Sequence, residues 1–203
     1  MKRIILAALI GTCSTAWADD VVVPPAAPVS QPLGGPVIPG VCLLSQEAVV
    51  ANAKVGKAAT VRLKEISDLA QSEISADRSQ LDFDVKAVQS QQASLKPEEY
   101  QKKQQGVASR LQALEQKAAL RNREIEVTRQ KALARIAAAA QPVIAEVYKS
   151  KNCGLLFNRN TTFGGNFAND LTPGVVAGLD AKITTITFDK EDLSAQKTAA
   201  VQK

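Results

Sequence analysis

Between Ser45 and Gln141 the apolar positions recur at steps of three and four. On the later half of this stretch the steps fall on Tyr100, Gln104, Val107, Leu111, Leu114, Ala118, Arg121 and Ile125. On the earlier half they fall on Leu63, Ile66 and Ala70, then on Leu81, Val85, Val88, Gln92 and Leu95. This is the spacing of a coiled-coil seam, interrupted by Gln and Arg. Helix breakers are scarce, with Gly56 alone up to Ser94 and Gly106 alone from Pro97 to Gln141. Ser45 suits an N-cap, with Gln46 and Glu47 in the first turn. The segment Ser94-Leu95-Lys96-Pro97-Glu98-Glu99 combines a helix stop with a proline-led helix start. The pattern predicts a long antiparallel hairpin over residues 46–141 with its tip near 94–98. At about 1.5 Å per residue, arms of roughly 45 to 50 residues extend roughly 70 Å. Phe83 and Tyr100 are the only aromatics near the tip, so the free end is expected to flex.

Shorter apolar runs flank the hairpin. Val41 to Leu44 suits a buried strand, and Cys153 to Phe157 is a second apolar strand candidate. Thr172-Pro173 reads as an N-cap and first helical residue, opening a short helix with Val175, Val176 and Leu179 on one face. Ile183 to Phe188 is β-prone and offers an edge strand. Pro142 is a place for the returning helix to kink before it ends near Ser150. Residues 41–45 and 142–189 thus form a small β/α head, and the polar segment 190–203 is expected to fray. A head of roughly 50 residues is too small to bury an adequate core, and its strands expose edges. Closing several copies around an axis relieves both problems, which predicts an obligate homo-oligomer with a shared β core. The fold class is α+β, mainly α.

The first residues carry an address. Lys2 and Arg3 precede the apolar run Ile4 to Ile10, and Ala16-Trp17-Ala18 has the small-x-small form of a signal-peptidase site before Asp19. That run is far shorter than the roughly 20 residues of a membrane-spanning helix. Residues 1–18 are therefore expected to be a signal peptide cleaved between Ala18 and Asp19, giving an exported, periplasmic product. Residues 19–40 hold six of the nine prolines and read as a flexible tail. Beyond the signal the chain keeps two cysteines, Cys42 and Cys153. An even pair in an oxidising compartment invites a disulfide, with two buried free thiols as the alternative.

The chain contains no histidine, which removes His-dependent triads, imidazole bases and His-ligated zinc. Val55-Gly56-Lys57-Ala58 resembles a phosphate loop only superficially, since Ala51 and Ala58 stand where the motif needs glycine and Ser/Thr. Glu98 and Glu99 are adjacent in a first helical turn, so they point apart and serve the helix dipole. Asn158 to Asn169 is polar but lacks an acidic cluster for calcium. No catalytic, cofactor or metal site is predicted.

Charge divides between the two arms. Residues 64–84 contain six acids against Lys64 and Arg78, while residues 96–151 contain twelve bases against six acids. Antiparallel pairing of such helices is attractive. The basic surplus at Lys102, Lys103, Arg110, Lys117, Arg121 and Arg123 is a candidate surface for client or anionic ligand. Past the signal, 23 basic and 20 acidic residues leave a net charge of only +3. Together with export, that argues against nucleic acid as a partner.

The order of these segments resembles the Skp/OmpH family of periplasmic chaperones. The carrying stretches are VCLLSQEAVVANAKVGKAA, SLKPEEYQKKQQ, QPVIAEVYKSKNCGLLF and NFANDLTPGVVAGLDAKI, covering residues 41 to about 183. The resemblance implies a homotrimer with a β head and three helical arms enclosing a central cavity. It implies ATP-independent holding of unfolded outer-membrane β-barrel proteins, without a cofactor. Members of that family are also associated with lipopolysaccharide and anionic lipids, though no residue motif for either is matched here. In the family pattern the strand at 41–44 neighbours the strand at 154–157, which brings Cys42 and Cys153 close. The rival reading is a structural coiled-coil spacer or adaptor of the cell envelope.

Overall fold

Proline, capping and apolar spacing decide where each element begins and ends. The computed structural model describes residues 33–194. The signal segment with its Ala18–Asp19 junction, most of the proline-rich tail and the end of the polar tail lie outside the described residues. Strand β1 (Val41–Leu44) is followed by helix α1 (Gln46–Asn52), whose N-cap Ser45 accepts a hydrogen bond from the Ala48 amide. The outgoing arm is α2 (Lys54–Ser90) and the returning arm is α3 (Pro97–Ser150). Strand β2 (Leu155–Asn158), a 3-10 turn at Arg159–Thr161 and α4 (Thr172–Lys182) complete the order. The fold is α+β and mainly α: a long helical hairpin rising from a small mixed base.

The two strands pair in parallel, with Val41 opposite Leu155 and Leu44 opposite Asn158. A parallel pair needs a long crossover, and the whole hairpin supplies it. On its other side β1 is held by the chain before α4. Leu43 donates to the Asn169 carbonyl at 3.1 Å, and Leu171 donates to the Leu43 carbonyl at 2.8 Å. The returning helix is closed by Asn152 in the left-handed region (φ 52°), with the Cys153 amide donating to the Tyr148 carbonyl. That turn delivers Cys153 to Cys42, and the two are joined in a disulfide with Cα atoms 5.8 Å apart.

The core lies where the hairpin enters the base. Leu44, Val49, Ala53, Val55, Ile136, Ala140, Val143, Leu171, Val175 and Leu179 are all buried there. Close approach of helices depends on glycine at two points. A Cβ on Gly56 would lie 1.7 Å from the Val50 carbonyl oxygen, and one on Gly178 would lie 2.7 Å from Val143 Cγ1.

Several expectations are corrected. The outgoing helix is not continuous from Gln46: it breaks at Ala53, which is extended (ψ 146°), so that α1 turns beneath α2. This break has no proline or glycine to announce it. The outgoing helix also ends at Ser90, and residues 91–95 form turns. The returning helix does run past Pro142 to Ser150, as expected. Thr172 is the first helical residue rather than the cap. Its hydroxyl accepts from the Ser45 amide, and its own amide donates to the Asp170 carboxylate. Ile183 to Phe188 forms no strand, because no strand lies beside it. Its Ile183, Ile186 and Phe188 instead pack against the core. Residues 190–193 are not frayed, being bonded to α3.

Candidate functional site

The predicted seam shows up as burial along the arms. Ile66, Ala70, Leu81 and Leu114 are buried, and Leu63, Val85, Val88 and Val107 are half-buried. Leu111 is 49% exposed, so the seam fails there. Towards the base the buried row on α3 changes to steps of four: Glu124, Thr128, Ala132, Ile136 and Ala140. A heptad seam drifts on a straight helix, and here the inward row leaves the sequence-predicted heptad positions after Arg121.

Ion pairs knit the arms together where apolar contact is thin. Arg110 of α3 pairs with Asp84 of α2. Lys117 contacts both Asp77 at 2.6 Å and Glu73 at 2.7 Å. Arg121 donates to both carboxylate oxygens of Glu73, at 2.9 and 3.2 Å, and also to Glu124 at 2.8 Å. The Arg121 and Lys117 hydrogen bonds hold the Glu73 carboxyl at about 2, well below its ordinary 4.5. Lys117 is pushed up by Asp77 and Glu73, and Arg121 by Glu73 and Glu124.

Glu124 is fully buried, at 0% exposure. A carboxylate there requires compensation, and it receives it from Arg121, Lys190 and the Leu193 amide. Burial opposes its charge, yet these three donors keep its carboxyl below the ordinary range.

The six basic residues selected from the sequence therefore have different surroundings. Arg110, Lys117 and Arg121 face acids of the opposite arm, as antiparallel pairing of an acidic and a basic helix predicts. Lys103 donates to Gln91 Oε1 at 2.6 Å across the tip. Among the described residues, Lys102 and Arg123 enter no ion pair. The six are not one free cationic surface. Sequence reasoning missed Glu124 and Thr128. The signal was available in the four-residue spacing from Thr128 through Ala132 and Ile136, which carries Glu124 onto the inward face.

Apart from Leu33, Val37 and Ile38 ahead of β1, the exposed large apolar side chains among the described residues fall along the arms and at the base. Along the arms these are Leu69, Phe83 (67% exposed) and Leu111, with Val61 and Leu133 level with one another at the root. At the base β2 is exposed along its whole length, with Leu155 at 58% and Phe157 at 50%, and Phe163 follows fully exposed. Among the described residues no group of three or more His, Cys, Asp or Glu is placed to hold a metal ion, and no helix is long and apolar enough to cross a membrane.

The family model described as outer membrane protein (OmpH-like) matches residues 40–179. A crystal structure from Caulobacter crescentus is similar at 36% identity and a TM-score of 0.76, covering 82% of this chain and 98% of that one. That protein is described as a putative outer membrane chaperone (OmpH-like). No protein of curated function matches the chain.

Proposed function

This chain belongs to the OmpH-like family, and on that premise we propose that it is a periplasmic holdase chaperone. It binds unfolded outer-membrane β-barrel chains without nucleotide and keeps them from aggregating. The observation that carries this reading is the long hairpin, which presents separated exposed apolar residues, Val61 at its root and Leu69, Phe83 and Leu111 further out, among charges. An unfolded barrel strand alternates apolar and polar residues. Many weak contacts of matching character hold such a chain by effective concentration, with no single tight site.

Self-association is part of the same proposal. A base of this kind does not ordinarily leave an apolar strand uncovered; Leu155 and Phe157 lie along one, and Phe163 follows it beyond the 3-10 turn. Sharing that edge among three copies about an axis would cover it and set three arms around a cavity. Anionic lipid or lipopolysaccharide remains a secondary partner class, with Lys102, Lys103 and Arg123, of the six candidate cations, outside any ion pair among the described residues.

The test uses the chain from Asp19 onward. Diluting a urea-unfolded porin-type barrel protein into it, without nucleotide, is expected to suppress light scattering. The native mass is expected to correspond to three copies, and to three copies plus one client when loaded. Aggregation at the rate seen without the protein would overturn the holdase reading. A trimer that nevertheless failed to hold the client would favour the envelope-spacer reading.

A further inference from the structure

After α4 the chain turns extended at Ile183 (φ −150°, ψ 130°) and travels without helix or strand pairing to Asp192. It is nonetheless held at almost every step, and by both arms. Arg62 of α2 donates Nε to the Phe188 carbonyl at 3.3 Å and pairs with Asp189 at 3.0 Å. From α3, Arg135 donates to the Thr187 carbonyl at 2.9 Å, and Lys131 pairs with Glu191 at 2.6 Å. Thr128 Oγ1 accepts from the Glu191 amide at 2.9 Å, and Glu124 Oε1 accepts from the Leu193 amide at 3.3 Å. Side chains here take the place of the missing neighbouring strand. Backbone groups that a sheet would satisfy are satisfied by Glu124, Thr128 and Arg135 along one face of α3 and by Arg62 of α2.

The fully buried Glu124 gives this contact leverage. Of its three partners, Lys190 and the Leu193 amide both come from the extended segment, and only Arg121 belongs to the arm. Arg121 in turn makes the bidentate tie to Glu73 on the opposite helix. Removing the segment would leave a buried charge with one partner, which is far costlier than losing an exposed pair. Further out, the Lys117 and Arg110 ties are more exposed, and such ties hold weakly.

We propose that residues 183–194 are a clamp fixing the root of the helical arm, with Lys190 on Glu124 as its latch, so that bending is confined to the arm beyond Arg121. The clamp stands without the chaperone reading. Only its consequence, a fixed spacing between arms at the mouth of the base, rests on that reading.

Amide hydrogen exchange, measured on the chain from Asp19 without client, tests the clamp separately from holding activity. Two variants are compared with the parent: Lys190→Gln, and a chain ending at Asp189 that keeps the core contacts of Ile186 and Phe188. Exchange over residues 58–66 and 118–132 is expected to rise about tenfold in both. Exchange over 140–147 and 173–179 in the base, and over 100–110 in the outer arm, is expected to stay as in the parent. In a Glu124→Gln background the effect of Lys190→Gln is expected to shrink several-fold, because the charge needing compensation is gone. Unchanged exchange at the root in both variants would overturn the clamp. So would a rise shared equally by the base, which would make the segment an ordinary part of the base's fold. An undiminished Lys190→Gln effect in the Glu124→Gln background would overturn the latch.

Discussion

Gly56 and Gly106 are the two glycines of the arm helices, and they should respond to alanine in opposite directions. Gly56 abuts the Val50 carbonyl where α1 passes beneath α2, and a methyl group there has no room. Gly56→Ala should destabilise by about 1–3 kcal/mol despite alanine's better helix propensity. Gly106 has nothing within 4 Å of its would-be Cβ. Gly106→Ala should stabilise by about 0.5–1 kcal/mol through the unfolded chain. Urea unfolding of both variants checks the pair, and equal signs would show that the α1–α2 crossing is not the constraint. The sequence displays both glycines as tolerated exceptions in a helical pattern. What abuts Gly56 depends on the bend at Ala53, which local sequence does not announce. Ser45 was more legible, since a Ser before Gln-Glu and an apolar run is a local signal, and it does cap the helix.

At the scale of elements, the arms are joined by charge as much as by apolar surface, so their pairing should depend on pH and salt. Arg121 and Lys117 hold Glu73 at about 2. A carboxyl depressed in the folded state stabilises above its unfolded value and loses that contribution as pH falls towards its folded one. Arm pairing should therefore weaken between about pH 4.5 and 2, and salt should weaken it further. The drop in urea midpoint across that window should be smaller in Glu73→Gln than in the parent. An identical drop would place the titration elsewhere. The hairpin, its tip at Pro97 and most of its seam were readable because periodicity and breakers are local properties. Ile183 to Phe188 shows the limit. Its β-prone residues specify an extended chain, but whether it becomes a strand depends on a neighbouring strand, and helices lie there instead. The basic residues show a second limit: composition found the surplus, while only the opposed helix decides which cations are neutralised.

For the molecule as a whole, the Cys42–Cys153 bond joins points 111 residues apart in sequence. In the chain-entropy view, closing such a loop is worth up to about 4–5 kcal/mol. Reductant should lower the urea midpoint of the parent and leave a Cys42→Ser/Cys153→Ser variant unmoved. Equal midpoints for the parent with and without reductant would show that the bond adds nothing to stability. The bond has another outcome, because both helical rods lie inside the covalent ring it closes. A protease that nicks the exposed bend at residues 92–94 would then open a circle rather than sever a thread. The two pieces should migrate as one species on a non-reducing gel and separate only once thiol is added, so a cut at the far end need not dismantle the molecule.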